Sequence, residues 1–311
     1  MAVAACSGSA PSDAKDHAAS IRIDTTVMTS PAYVGRLDKA FESAFQKRGV
    51  AVEYAQLNTS PQMLEALASN SVDIVELGYV GVITGAASRV KFTLVGQASN
   101  GGGDQILVPE NSPVRSVEDL RGRTVATAKG SSGWALLLRS LAAANMTKDD
   151  VRIVNLQPDE AQNAFLSGQI DAWAVWAGSV SPNAVSDANS TVITTGAAAG
   201  LVPGLVAVRT AFLDENPGLV QEYLATRAAV LADMTTEHAT VTAQIAEGRK
   251  VSPGLVEHFF TLSSPVQTEI ADDTIKRLQG VADLLLSEGE ITSRPELSDL
   301  VDNTAVNAAA K

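Results

Sequence analysis

The chain has 311 residues, 45% of them hydrophobic and 19% charged, with a formal net charge of −12. This composition is typical of a globular protein long enough for two domains or lobes, and it argues against a disordered chain. The acidity and the lack of a Lys/Arg cluster argue against nucleic acid as a partner, and no apolar run is long enough to predict a transmembrane helix.

The only cysteine, Cys6, lies among small residues and is followed by a polar Ser/Ala/Asp/Lys run. A lone cysteine forms no internal disulfide. The segment resembles the lipobox of a bacterial lipoprotein, in which the cysteine is lipidated after signal cleavage. The alternative is an Ala-rich terminus with a free thiol. We expect residues 1–20 to be a lipoprotein-like tether, with Cys6 as the lipidation site.

Strands and helices are predicted to alternate between residue 21 and about residue 208, which is typical of parallel α/β sheets. Beyond residue 208 the pattern is helical. The predicted strands cover residues 21–27, 50–56, 72–77, 92–98, 105–109, 124–128, 151–156, 170–176, 192–194 and 205–208. A single helix is predicted from about residue 34 to Gly49, and the C-terminal helices cover residues 217–234, 236–247, 253–260, 265–288 and 295–301.

The stretch 122–141 has the pattern of a strand, a small hydroxyl-bearing turn and a helix beginning near Trp134. In α/β sheets, ligands gather at the carboxyl ends of the strands, where free N–H groups of a helix N-terminus favour an anion. Ser131 and Ser132 are therefore candidate ligand-binding residues. The simpler interpretation is that a serine caps the helix.

Polar or aromatic residues follow several other predicted strands in the same way. The aromatic ones are equally compatible with core positions, and Trp173 is the more typical core residue of its strand. The candidate residues are Thr26, Met28, Ser60, Gln62, Gly78, Tyr79, Gln97, Ser131, Ser132, Trp134, Trp173 and Trp176.

Signatures of common catalytic and metal sites are missing from the sequence. It contains no G-x-S-x-G, Walker or H-E-x-x-H motif, and His17, His238 and His258 are far apart. Imidazole and thiolate ligands are therefore scarce. We expect no catalytic residue, no metal and no cofactor.

Several separated motifs, in order, resemble the substrate-binding proteins of nitrate/sulfonate/taurine-type ABC importers. They are residues 60–67, Gly78, 106–113, 116–126, 129–132 and 165–176. The resemblance runs from about residue 21 to about residue 235. It implies a type 2 periplasmic-binding-protein fold: two Rossmann-like lobes joined by a two-segment hinge, with a helical C-terminal tail. Lobe 1 would comprise residues 21–104 and 209–311, and lobe 2 residues 105–208.

The resemblance also implies a function. It places cleft residues at Thr26, Gln62, Gly78 with Tyr79, and Gly130 with Ser131 and Ser132, and a tryptophan near the cleft at Trp176. The expected solute is a small organic anion, such as an alkanesulfonate or a taurine-like sulfonate, delivered to an ABC permease. The protein would be an extracytoplasmic monomer, in the periplasm or held at the cell surface through lipid on Cys6.

Two departures from the family pattern leave alternatives open. Ala177 and Gly178 stand where an acid and a proline often follow the tryptophan, which disfavours an amine-bearing ligand such as taurine. Glu76 lies near the expected cleft and would oppose an anion if it faced the solute. The second hypothesis is therefore a neutral or cationic heterocycle, such as a thiamine-precursor-like pyrimidine. The third is an enzyme on the same fold, which would need a reactive cysteine or histidine in the cleft.

Overall fold

The computed structural model describes residues 16–57, 59–176, 190–200 and 202–309. Within these ranges the chain forms two β-sheets surrounded by α-helices. The elements are β1 (Ser20–Asp24), α1 (Pro31–Leu37), α2 (Ala40–Gln46), β2 (Ala51–Ala55), α3 (Ser60–Ala68), β3 (Ile74–Leu77), α4 (Tyr79–Ala87), β4 (Phe92–Ser99), β5 (Gln105–Pro109), β6 (Thr124–Thr127), α5 (Ser132–Ala143), β7 (Arg152–Asn155), α6 (Pro158–Leu166), β8 (Ala172–Val175), β9 (Ser190–Thr195), β10 (Leu205–Arg209), α7 (Thr210–Glu215), α8 (Pro217–Thr236), α9 (His238–Arg249), α10 (Pro253–Leu262), β11 (Pro265–Thr268), α11 (Asp272–Ser287) and α12 (Thr304–Ala309).

The first sheet has the strand order β11-β4-β10-β3-β1-β2, and the second has the order β7-β6-β8-β5-β9. Strands linked through helices pair in parallel, as in β1 with β2 and β6 with β8. The expected parallel pairing holds for these strands but not for all, because β10 runs antiparallel to β3 and β4, and β5 runs antiparallel to β8 and β9. Both β5 and β10 follow a direct passage from the other sheet, without a helical crossover to reverse the chain.

The chain passes between the sheets twice, in residues 99–105 and 195–205, and these segments run against each other. The Gly196 N–H donates to the Asp104 carbonyl at 2.8 Å. Gly101 has a φ of +81°, and a Cβ there would lie 2.3 Å from the Val202 carbonyl oxygen. Only glycine permits both this backbone conformation and this approach. The predicted two-segment hinge is present.

One strand lies outside its expected lobe. Residues 205–208 were expected to end lobe 2, but β10 lies between β3 and β4 in the first sheet, with Val206 opposite Glu76 and Gly96. The reason is that the second passage between the sheets ends before this strand begins. We propose that lobe 2 ends within residues 195–205 and that β10 begins the second part of lobe 1.

Alternating side chains of the strands supply the core on both faces of each sheet. On β10, Val206 and Val208 pack with Phe41 and Phe45 of α2, whereas Leu205 and Ala207 belong to a central cluster. That cluster contains side chains of α4, α5 and α11 and continues from one sheet to the other. The opposite face of the second sheet buries the predicted core residue Trp173 beside Phe165. The lobes are thus joined by packed helices as well as by the hinge.

Two helix predictions were wrong in detail. The first helix is divided into α1 and α2, because Lys39 adopts a left-handed conformation with φ of 55°. The predicted helix over 265–288 contains only α11. Its first residues form β11, an edge strand in which Pro265 lies opposite Ser99. An edge position tolerates proline, because no neighbouring strand requires its missing N–H.

In the part of the chain that the structure describes, no helix has the length and apolar character needed to cross a membrane.

Candidate functional site

The carboxyl edges of the two sheets meet where α4 and α5 begin. The hydroxyl oxygen of Tyr79, the first residue of α4, lies 3.0 Å from the Ser132 carbonyl oxygen. Ser132 is the first residue of α5. Helix N-termini from the two sheets are thus neighbours, and each contributes free N–H groups and the positive end of a helix dipole. This interlobe edge is the candidate site.

The turn between β6 and α5 has the predicted form. Ser131 is the N-cap, and its Oγ accepts from the Trp134 backbone N–H at 3.2 Å. Gly133 lies directly against β8, where an added Cβ would be 2.8 Å from the Ala174 carbonyl oxygen. Gly130 is exposed, and nothing lies within 4 Å of where its Cβ would be. This turn therefore leaves the backbone before α5 open to a solute.

The side chain of Trp134 lies in the protein interior. It is 1% exposed and belongs to the central cluster. The Lys129 ammonium lies 5.6 Å from the centroid of its ring. Of the two interpretations open for this aromatic residue, the structure therefore supports the core position, and only its backbone N–H takes part in the turn.

A buried carboxylate that the sequence did not single out joins the two lobes at this edge. Asp104, in the first hinge segment, accepts from the Ser132 hydroxyl at 2.6 Å and from the Tyr79 hydroxyl at 3.1 Å. Burial raises the pKa of Asp104 to about 6, and these hydrogen bonds and the Arg139 charge oppose the rise only in part. Since both hydroxyls donate to Asp104, they act first as interlobe contacts.

On the first sheet, the predicted residues surround the ends of β1 and β3. The Thr26 hydroxyl donates towards Asp24 at 2.6 Å and accepts from the Leu57 N–H at 2.7 Å, so it ties the two loops together. Ser60 begins α3, although Thr59 is its N-cap. The Gln62 side chain is exposed. Gly78 is also exposed and precedes α4.

The remaining predicted residues make structural contacts. Met28 packs against the cluster formed by α1, α8, α9 and α10. The Gln97 amide donates to the Glu269 carbonyl at 2.8 Å. Trp176 follows β8, is partly exposed and packs against the cluster that contains Trp173. Cys6 and the Ala177–Gly178 departure lie outside the described residues.

Glu76 is bound by a buried arginine that the sequence analysis did not identify. Arg227 of α8 is fully buried, and its Nε and Nη2 both lie 3.0 Å from the Glu76 carboxylate. Arg227 also donates to the carbonyls of Ala98 and Val266. Its position within a long helix carries no sequence signal for this partner. The carboxylate that would repel an anion is therefore neutralised within lobe 1.

Comparisons with known proteins give a consistent result. The family model described as NMT1/THI5 like matches residues 42–237. A protein of Bacillus subtilis (strain 168), named as an aliphatic sulfonates-binding protein, is 30% identical over 310 residues, covering 99% of this chain and 93% of the relative. The crystal structure of the periplasmic aliphatic sulphonate binding protein SsuA from Escherichia coli superposes with a TM-score of 0.85 at 24% identity, covering 92% of each chain. The alkanesulfonate-binding protein SsuA from Xanthomonas axonopodis pv. citri bound to MOPS gives a TM-score of 0.80 at 26% identity, covering 91% of this chain and 98% of that one.

Proposed function

Because the chain belongs to the NMT1/THI5-like family, we propose that it is an extracytoplasmic solute-binding protein of an ABC importer. Its solute is an aliphatic sulfonate, bound between the lobes and released unchanged to the permease. Sulfonate-binding relatives that align over nearly the whole chain support this assignment.

The observation that carries the proposal is the meeting of the α4 and α5 N-termini at the interlobe edge. Backbone N–H groups at helix N-termini bind anions through directed hydrogen bonds and the helix dipole. Each dipole contributes about 0.3–2 kcal/mol, whereas a micromolar dissociation constant requires about 8 kcal/mol. Several direct hydrogen bonds to the sulfonate, at about 1.5–3 kcal/mol each, therefore have to contribute as well.

We propose that the backbone around Gly130 and Ser131, together with Gly78 and Gln62, forms the polar end of the site. These residues are partly or fully exposed at the two facing edges. Trp176, at the end of β8, is placed to contact the organic part of the solute. The hydroxyls of Tyr79 and Ser132 hold the lobes in register through Asp104.

The proposed setting follows from the same function. Closure of the lobes excludes water and presents a new surface to the permease. We propose that the protein acts as a monomer and that lipid on Cys6 holds it at the outer surface of the membrane. The solute is bound without a chemical reaction in the function that we propose. An enzyme on this fold would need a reactive cysteine or histidine in the cleft, whereas His238 and His258 lie on α9 and α10.

The cationic-ligand alternative rested on Glu76, and the ion pair with Arg227 removes its main support. A Glu76→Gln substitution would leave a fully buried arginine without its carboxylate, and loss of one partner of a buried pair costs about 3–5 kcal/mol of stability. That substitution therefore reports on folding, and the ligand class is better tested with the intact protein.

Thermal unfolding with a panel of solutes tests the function. At a ligand concentration 100 times the Kd, binding stabilises the folded state by about 2.7 kcal/mol, which raises the Tm of a chain of 311 residues by about 4 °C. We expect this rise with ethanesulfonate and longer alkanesulfonates and a smaller one with taurine, whose ammonium lacks a partner acid. A rise with a cationic pyrimidine and none with sulfonates would reject the assignment.

A further inference from the structure

One arginine at the cleft edge of lobe 1 has hydrogen-bond donors left over. Arg249 is the last residue of α9, which runs antiparallel to α1: Gln244 donates to Asp38, at the end of α1, at 3.2 Å. The guanidinium carbon of Arg249 lies 4.1 Å from the centroid of the Tyr33 ring, near the start of α1. This helix therefore delivers a guanidinium to the loop that follows β1.

The backbone at that loop fixes the position of the guanidinium. Arg249 Nη2 donates to the Thr25 carbonyl at 2.9 Å and to the Thr26 carbonyl at 2.7 Å. These two residues directly follow β1, at the carboxyl edge where the solute is expected. With Nη2 fixed by the loop and the guanidinium held over the Tyr33 ring, the Nη1 group has a defined direction.

Arg249 forms no direct ion pair in the described part of the chain, and the Asp24 carboxylate acts on it only from a longer distance. Its Nε is buried and has no hydrogen-bond partner, and no described carboxylate lies within 4.0 Å of it. In contrast, Arg22 and Arg209 both pair with Asp73, and Arg227 pairs with Glu76. Burial lowers the pKa of Arg249, yet a guanidinium stays protonated at physiological pH.

A partly buried cation bound only to carbonyls is stabilised when an anion occupies its free donors. The Nη1 group of Arg249 keeps two N–H donors, which suit the oxygens of an anion and form charge-assisted hydrogen bonds with them. We infer that Arg249 binds the anionic head of the solute from lobe 1, opposite the α5 N-terminus of lobe 2. This inference rests on the proposed function and adds a specificity residue to it.

Arg249 then separates anions from neutral molecules of the same shape. Ethanesulfonate and ethanesulfonamide are suitable probes, because they are nearly isosteric and differ in charge. The measurement is the dissociation constant of each probe, by calorimetry, for the unsubstituted protein, Arg249→Gln and Arg249→Lys. Arg36→Gln is the matched control, because Arg36 also donates to Thr25, through its hydroxyl, but is exposed.

We expect Arg249→Gln to weaken ethanesulfonate binding about ten- to a hundredfold, the range for losing one or two hydrogen bonds to a charged group. Ethanesulfonamide binding should change little, because this probe carries no charge. A purely structural role of Arg249 would instead weaken the binding of both probes equally. Arg249→Lys keeps the charge but lacks separate groups to bind the loop carbonyls and the anion, so it should weaken ethanesulfonate alone, by about tenfold or less. If the Gln variant does not fold, the Lys variant gives the result.

Three outcomes would overturn the inference. In the first, the foldable Arg249 variants bind ethanesulfonate as tightly as the unsubstituted protein. In the second, both probes weaken equally, and in the third Arg36→Gln has the same effect as Arg249→Gln. These outcomes leave the proposed function intact. If the unsubstituted protein binds no alkanesulfonate, the proposed function and this inference fail together.

Discussion

At the scale of single residues, the interlobe edge depends on where polar side chains direct their hydrogen bonds. Tyr79 and Ser132 belong to different lobes, and both direct their hydroxyl protons to Asp104 in the hinge. One buried carboxylate thus fixes the distance between two helix N-termini. A site built from helix N-termini needs such a contact, because the hydrogen bonds to a small anion tolerate little error in position.

Asp104 should make the stability of the protein depend on pH. Its folded-state pKa of about 6 lies above the ordinary value of 3.8, so its favourable contribution is complete below pH 4 and is lost as the pH rises through 6. The difference corresponds to roughly 3 kcal/mol. We expect Asp104→Asn to remove this part of the pH dependence, so that stability in urea falls less between pH 4.5 and pH 7.5 than in the unsubstituted protein.

A control for this experiment is Asp119→Asn. Backbone N–H bonds from Arg115 and Ser116 lower the pKa of Asp119, so its contribution is present above the ordinary value and is lost as the pH falls. That loss occurs below the ordinary value of 3.8, so Asp119→Asn should leave the stability difference between pH 4.5 and pH 7.5 nearly unchanged. Since burial also raises the pKa of Asp24 to about 6, some slope should remain in Asp104→Asn. An unchanged slope in that variant would contradict the assignment.

At the scale of elements, the start of α5 is held against β8 by a glycine. A Cβ on Gly133 would meet the Ala174 carbonyl oxygen and the Val175 backbone at 2.8 Å, and backbone atoms cannot move aside as a flexible side chain can. We expect Gly133→Ala to destabilise the fold by about 1–3 kcal/mol, as in overpacked cores. It should also weaken sulfonate binding, because the α5 N-terminus would shift.

Gly280→Ala is the matched control for Gly133→Ala. Gly280 lies within α11, and nothing is within 4 Å of its added Cβ. Alanine is favoured over glycine in a helix by about 1 kcal/mol, so this variant should be slightly more stable and should bind normally. Chemical denaturation and calorimetry measure both effects. Equal stability of the two variants would show that the close approach of α5 to β8 is not tight.

Strand positions could be predicted from the sequence because buried strands give short apolar runs with clear ends. The predicted strands at 105–109 and 205–208 agree with β5 and β10 within one residue. Strand direction could not be predicted, since it depends on which passages between sheets lack a helix. The β11 strand was missed because Pro265 also fits the first turn of a helix.

The turn at the start of α5 was predictable from local residues, because its serine cap and glycines act within one turn of chain. Asp104, Arg227 and Arg249 were not, because each acquires its role from partners far away in sequence. Arg227 meets Glu76 across 151 residues, and Arg249 meets Thr26 across 223. A charged residue in a helix gives the same sequence pattern whether it is solvated, paired or poised for a ligand.

At the scale of the whole molecule, two features limit how the lobes can move. The hinge segments 99–105 and 195–205 run together, and the central cluster joins α4, α5 and α11 along the same side. The Asp104 contacts lie beside this packed region. Motion that preserves these contacts is a rotation about the joined side, which opens and closes the opposite side of the cleft.

The closing motion predicts a change in shape when solute binds. In the proposed site the solute contacts both lobes at once, so it would favour the closed form by the difference in its affinity for the two forms. We expect the radius of gyration from small-angle X-ray scattering to decrease when saturating ethanesulfonate is added. At a concentration about ten times the Kd of the unsubstituted protein, Arg249→Gln should show a smaller decrease, because binding weakened ten- to a hundredfold leaves about half of it or less in complex. If scattering is unchanged while calorimetry shows saturation, the lobes are already closed without solute, and Arg249, Gly130 and Gly78 would then form a fixed site.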